Sequence, residues 1–487
     1  MKVAVVVIEY DSMFIGGQWR APTSDRRITV IGANDELVCG SVPEAHEEDV
    51  DAAVTAAREA VRDRAGWAHW PGAKRATYLE RLADILDGRS EDLISRVSIQ
   101  NGMPVSVARQ LEASYPVVLL RYYADLAREE APMELRRGLF CPEILVRREP
   151  VGVVAAIVPW NFPQTLAAFK YAPALAAGCT VVIKPSPETV LDAYVFAEAV
   201  AQAGIPPGVI NVVPAHREVG SYLVGHPGVD KVAFTGSTPA GRTIGEVCGR
   251  LLRPATLELG GKSAAIVLDD AELDMETLGP QLFSATLLNN GQTCFLGTRI
   301  LAPQSRYIEI VDLLSDLVAS LTIGNSLDET TQIGPMATAQ QRHRVESYIA
   351  KGRSDGARVT VGGGRPSGFD KGWFVEPTVF ADVDSHHTIA QEEIFGPVLS
   401  VIAYTDDNDA IRIANDCDYG LGGTVWTTDQ DRGLAVAQQI QTGTIGINTY
   451  IPDPVAPFGG VKASGLGREL GPEALASYQQ LQSIYLG

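Results

Sequence analysis

Val151-Gly152-Val153-Val154-Ala155-Ala156-Ile157-Val158-Pro159-Trp160-Asn161-Phe162-Pro163 is the stretch on which the reading of the fold turns. Its first eight residues are apolar without alternation, as a strand covered on both faces requires. Two prolines then bracket an aromatic loop, and residues 166–177 form a helix candidate that Gly178 ends. The same rhythm continues downstream. Residues 180–184 read as a strand, 191–203 as a helix, and 208–213 and 231–235 as further strands. Short strands alternating with helices across 151–268 specify a parallel, Rossmann-like α/β sheet.

Working outward, a second alternating block runs from residue 298 to about 448. Strands are expected at 398–404 and 443–447, with a helix over 409–416. Upstream, 47–63 and 74–87 carry apolar residues at helical spacing among charges. Segments 137–149 and 478–485 read as strands that neither block needs, and are expected to pair at an edge with another subunit. There is no internal repeat and no low-complexity tract.

A chain of 487 residues exceeds what one core usually serves, so two or more domains are expected. The formal charge of −19 argues against nucleic acid or an anionic membrane as partner. No apolar stretch is long enough to span a bilayer, and the run 3–8 is too short for a signal segment. Six scattered cysteines without a Cys-x-x-Cys pair suggest neither a metal site nor a disulfide framework, and suit a reducing, cytoplasmic setting.

Several local patterns carry chemistry. In Phe234-Thr235-Gly236-Ser237-Thr238-Pro239-Ala240-Gly241, a strand ends in glycine, Ser237 stands at the expected N-cap and Pro239 suits the first helical turn. Gly236 and the helix start could receive a pyrophosphate, although such a turn is as readily plain structure. The residues nearly spell a Walker A loop, yet Arg242 stands where its lysine belongs, and arginine does not replace that point charge. Lys184 closes an apolar strand, where it could meet a ribose or simply face solvent. Asn289-Asn290-Gly291-Gln292-Thr293-Cys294 ends a helical pattern in a turn able to present a thiol. Glu258, between Leu257 and Leu259, becomes a general base if it points into a dry pocket. Asn161 could donate a hydrogen bond to a developing oxyanion.

Taken together and in this order, the motifs resemble the aldehyde dehydrogenase superfamily over nearly the whole chain. To those above are added Glu392-Glu393-Ile394-Phe395-Gly396-Pro397, and Pro457-Phe458-Gly459-Gly460 with Ser464-Gly465, which is similar to the family's C-terminal signature. The resemblance implies Cys294 as nucleophile, Glu258 as the base that activates water, and Asn161 with the Cys294 backbone N–H as oxyanion hole. It implies cofactor contacts from Ile157, Pro159, Trp160, Lys184, Gly236, Ser237, Leu259, Glu393 and Phe395, with Lys184 also counted in the catalytic set. It further implies a cofactor domain (1–130 and 151–262), a catalytic domain (263–462) and a β oligomerisation arm with C-terminal tail (131–150 and 463–487), assembled as homodimers or homotetramers.

The implied reaction is oxidation of an aldehyde to a carboxylic acid. Cys294 attacks the aldehyde, hydride leaves to NAD(P), and Glu258 directs water onto the thioester. Glu258 speaks against a coenzyme A-acylating member. The position three after Lys184, often glutamate in NAD-preferring members, is Pro187, with Glu188 next. NAD is expected, and NADP is not excluded. Phe162, Thr293, Phe295, Tyr450 and Phe458, with Ile451, suggest an apolar substrate tunnel. Arg109 or Arg121 could reach inward to select a carboxylate, or could face solvent. No metal is expected. A rival reading, a cysteine hydrolase or esterase, would need a histidine base, and none of the seven histidines lies in a partner motif.

Overall fold

A computed structural model describes residues 7–487, so all but the last two residues of the run 3–8 lie outside the described residues. The apolar run after Pro150 forms the strand Val153–Ile157, every residue of it buried. Parallel neighbours flank it: Thr180–Lys184 on one side, Lys231–Thr235 on the other. Beyond these lie Ile210–Val212 and Ala255–Glu258, also parallel. Antiparallel strands close the eight-stranded sheet, Met13–Ile15 with Gln18–Arg20 at one end and Gly465–Leu466 at the other. The parallel strands thus start in mid-sheet at Val153–Ile157, wind one way, then return past that strand. Ligands in such sheets bind outside the strand C-termini where the order reverses, here between Val153–Ile157 and Lys231–Thr235.

A second sheet of seven strands is parallel except at its Arg358–Val361 edge. An interior strand, Ala264–Val267, follows the first sheet's Ala255–Glu258 after only a short turn. That turn carries the chain from one sheet to the other through Gly260 and Gly261. A Cβ on Gly261 would stand 2.4 Å from the Cys294 carbonyl oxygen, so only glycine fits the crossing.

One expectation is corrected. Segment 137–149 is not a single strand: Met133–Arg137 and Glu143–Pro150 are antiparallel, joined by a turn. The tail Gln479–Leu486 pairs with Glu143–Pro150 of its own chain, from Gln479 opposite Pro150 to Leu486 opposite Glu143. The two segments satisfy each other's backbone within one chain, leaving the outer edges of this three-stranded sheet open.

A candidate active site at the junction of the two sheets

Parallel register aligns the functional strand ends. Ile157 lies opposite Lys184 and Phe234, and Thr235 opposite Glu258. From these ends opens a groove enclosing about 1320 Å³ with its mouth, lined by Ile157, Pro159, Trp160, Lys184, Gly236 and Ser237. Ser237 is the N-cap of the helix Thr238–Arg250, and its hydroxyl makes no capping bond. The helix start and this free hydroxyl therefore face the groove, as a pyrophosphate would require. Lys184 is buried, which pushes its ammonium down to about 8, and it donates to the Pro185 carbonyl at 2.9 Å. Glu188 also lines the groove and accepts from Ser186 Oγ at 2.5 Å. The size, the helix start and the strand-end lysine fit a dinucleotide. Arg242 faces solvent outside the groove, which removes the support for a Walker-type phosphate clamp.

Leu259, Glu393 and Phe395 do not line this groove. Leu259 packs under Gly241 of the same helix. Phe395 stands edge-on to Trp160 with ring centroids 5.3 Å apart. Glu393 accepts from the Gly261 backbone N–H at 3.0 Å, and burial pushes its carboxyl up to about 7. Phe395 thus abuts the groove through Trp160, while Glu393 lies close enough to act on the Cys294 thiol.

The turn that presents the thiol is bolted in place. Asn289 and Asn290 adopt φ of 52° and 59°, a left-handed conformation that asparagine tolerates. Asn290 Nδ2 donates to the Gly102 and Pro335 carbonyls, both at 2.9 Å, while its Oδ1 accepts from Gly334 N at 2.7 Å. Asn289 Nδ2 donates to the Asn161 backbone carbonyl at 3.0 Å. Asn161 Nδ2 in turn donates to the Gln292 carbonyl at 3.0 Å, which draws its amide to the nucleophile loop.

Cys294 emerges half-buried beyond this turn, whereas Cys39, Cys179, Cys248 and Cys417 are buried. Burial raises its thiol well above the ordinary value, and the nearby Glu258 and Glu393 carboxylates raise it further. Glu258 is raised too, by burial first and then by Glu469. Neither of its carboxylate oxygens has a hydrogen-bond partner among the described residues. An unpaired buried carboxyl beside a thiol is arranged to exchange protons, which a structural carboxylate in an ion pair is not.

Sequence reasoning missed the neighbours of this carboxyl. Lys170 and Glu469, both essentially inaccessible, form an ion pair at 2.8 Å, and Lys170 Nζ also donates to Thr235 Oγ1 at 2.5 Å. Lys170 opposes, and Glu469 reinforces, the upward shift on Glu258. Lys170 is the only charged residue in the helix Pro163–Ala177, a signal that was available. Replacing Lys170 by methionine strands a buried carboxylate and should lower stability by about 3–5 kcal/mol. Urea unfolding of the variant would measure this, and an unchanged midpoint would show the pair to be energetically neutral.

From Cys294 a tunnel leads outward, lined by Phe162, Thr293, Phe295, Tyr450 and Phe458, as expected, and by Leu111, Tyr115, Leu166 and Phe169. Among the described residues no charged side chain lines it. Four of its hydroxyls are tied to protein partners: Thr293 donates to the Leu288 carbonyl, Thr165 to the Leu111 carbonyl, Tyr115 to the Pro452 carbonyl, and Tyr450 is bonded to Thr444, which leaves Ser284 and the Gln110 amide as its polar lining. Arg109 pairs with Glu91 and Glu329, and Arg121 with Asp84, all on the surface, so neither selects a substrate.

A thiol at the inner end of an apolar tunnel, with a buried carboxyl beside it and a dinucleotide-sized groove, defines a thiol-dependent oxidoreductase. Comparison with known proteins places it more closely. Residues 19–484 match the model of the Aldehyde dehydrogenase family, and the chain belongs to that family. It is 57% identical over 481 residues to a geranial dehydrogenase of Castellaniella defragrans, covering 99% of this chain and all of that one. A Mycobacterium tuberculosis aldehyde dehydrogenase solved with NAD+ superposes with a TM-score of 0.96 at 46% identity, over 99% of both chains. Aldehyde dehydrogenase C of Pseudomonas syringae, solved as a variant with NAD+ and octanal, gives 0.93 at 38% identity, over 98% of this chain and 96% of that one. The protein is an enzyme that oxidises an aldehyde.

Proposed function

We propose that the enzyme oxidises an uncharged, apolar aldehyde, of the kind named for its geranial-oxidising relative, with NAD as acceptor. The observation that carries this reading is the tunnel itself: it ends on Cys294, has no charged wall among the described residues, and ties four of its hydroxyls to protein partners. A charged aldehyde would be desolvated there without a partner, whereas an apolar chain gains from burial.

In this reading Cys294, its proton lost to solvent, attacks the carbonyl carbon as the thiolate. Asn161 Nδ2 and the Cys294 backbone N–H hold the oxygen that becomes negative. Bound NAD supplies the hydride acceptor, with Lys184, Ser237, Gly236 and Trp160 holding it, Ile157, Pro159 and Leu259 shaping its bed, and Glu393 with Phe395 at its reactive end. Glu258 then takes a proton from water as that water attacks the thioester. The NAD complexes of the Mycobacterium tuberculosis and Pseudomonas syringae relatives support the cofactor assignment. Glu188 supports NAD over NADP, because its carboxylate stands in the groove where a ribose phosphate would meet like charge. Glu188→Gln should raise the NADP-to-NAD ratio of kcat/KM about tenfold, and an unmoved ratio would show that selectivity lies elsewhere.

The separate eight- and seven-stranded sheets support a domain division at 1–130 with 151–262, 263–462, and 131–150 with 463–487, although the last segment also lends Gly465–Leu466 to the first sheet. Exposed Leu135, Leu139, Phe140, Leu481 and Tyr485 along the small sheet support assembly into dimers or tetramers. Six unpaired cysteines support a reducing, cytoplasmic setting. The test is spectroscopic: reduced-cofactor formation from NAD or NADP with aliphatic, terpenoid, aromatic and semialdehyde substrates. Preference for a semialdehyde or a cationic aldehyde would overturn the assignment of substrate class.

A further inference from the structure

The roof of the tunnel consists of two segments far apart in sequence, joined by one hydrogen bond. The first is a single π-helical turn, Arg109–Ser114, which runs directly into the helix Tyr115–Glu129. Such a turn holds an extra residue, changes the faces that side chains present, and recurs at functional sites. Here Gln110 and Leu111 line the tunnel while Glu112 is wholly buried. The Glu112 carboxylate accepts from Gln164 N at 2.7 Å and Thr165 N at 3.3 Å, in the first turn of Pro163–Ala177. Thr165 returns a bond to the Leu111 carbonyl. The π turn is therefore fixed to the helix that supplies Thr165, Leu166 and Phe169 to the tunnel wall.

The second segment, 450–456, is held far less firmly. Ile451 and Val455 are 58% and 62% exposed. Asp453 bonds only within the segment, to Val455 N and Ala456 N. Tyr450 anchors its start through Thr444 and an edge-on contact with Phe295, and the Pro454 carbonyl accepts from Gly471 N. Between those anchors, among the described residues, one bond ties the segment to another element: Tyr115 Oη donates to the Pro452 carbonyl at 2.7 Å.

We propose that Tyr115 is a positioning residue that straps the 450–456 loop over the tunnel mouth, so that substrate chain length is selected by the fit of this roof. The inference rests on the apolar-aldehyde reading above. A long apolar chain gains contact only if Ile451 and Pro452 are held against it. A short one lies between Cys294 and Phe295 and hardly meets the roof. The strap also consumes the hydroxyl that would otherwise wet the lumen.

Tyr115→Phe keeps the ring, which lies 6.0 Å from that of Phe169, and removes the bond. With the full-length enzyme and NAD, the ratio of kcat/KM for decanal over propanal should fall about tenfold, the loss residing in KM for decanal rather than in kcat. Hydrogen exchange of the amides in 451–456 should accelerate, while that in Pro163–Ala177 stays as it was. An unchanged ratio with unchanged exchange would overturn the proposal. Equal losses on both aldehydes, with exchange accelerated throughout the fold, would overturn it too, since Tyr115 would then be merely structural. If the unaltered enzyme itself prefers propanal to decanal, the apolar-chain reading fails, and the exchange result still decides whether the strap exists.

Discussion

Cys294→Ala should abolish reduced-cofactor formation from every aldehyde, a loss on the order of 10⁴-fold or more, because no other group can form the covalent intermediate. Among the six cysteines only Cys294 lies on the tunnel. Its upward-shifted thiol adds a pH signature. Below the raised value the sulfur is protonated and weakly nucleophilic, and above it the thiolate dominates. Alkylation of Cys294 by iodoacetamide in the free enzyme should therefore be slow at neutral pH and accelerate as pH rises. Residual turnover in the alanine variant above about 1% of the original would sink the covalent route and restore weight to other chemistry.

Glu258→Gln should separate the two halves of the reaction. The amide keeps the shape but cannot accept a proton, so hydrolysis of the thioester should slow by about 10²–10⁴-fold. Rapid mixing would then show a burst approaching one reduced cofactor per site, followed by the slow steady state. A variant that loses the burst as well would show that Glu258 is also needed to ionise Cys294, beside which it lies. A steady state equal to the original would remove Glu258 from the mechanism. The rate of the unaltered enzyme should climb with pH, since burial and Glu469 keep Glu258 protonated beyond the usual carboxylate range.

Much of this arrangement was legible in the residues. Buried parallel strands are uniform in hydrophobicity, so 180–184, 231–235 and 398–404 were read with the bounds the structure shows. Helix starts were less clear: Pro163–Ala177 begins at a proline that reads as part of a loop. The strand expected over 443–447 shrinks to Gly446–Ile447. Segment 137–149 hid a turn at Gly138–Pro142, because exposed hairpins lack the alternation that a buried face imposes. The thiol, the base and the strand-end lysine stood out by motif. Lys170 with Glu469, and Tyr115 with Pro452, did not, since each pair is made by tertiary contact across most of the chain. The π turn has no period that hydrophobic spacing would reveal.

The edge strand Gly465–Leu466 bears on how the molecule is made. It pairs with Leu257 and Glu258, and the Ser464 carbonyl accepts from Leu259 N at 3.0 Å. Glu469, whose charge also acts on Glu258, comes from the same late segment. A ribosome delivers this piece long after the strand it completes, so a nascent chain already bearing Cys294 has no finished environment for Glu258. The surroundings of Glu258 are completed only once residue 465 has emerged, and a chain cut short before Gly465 should carry Cys294 without the strand that closes over its neighbouring carboxyl.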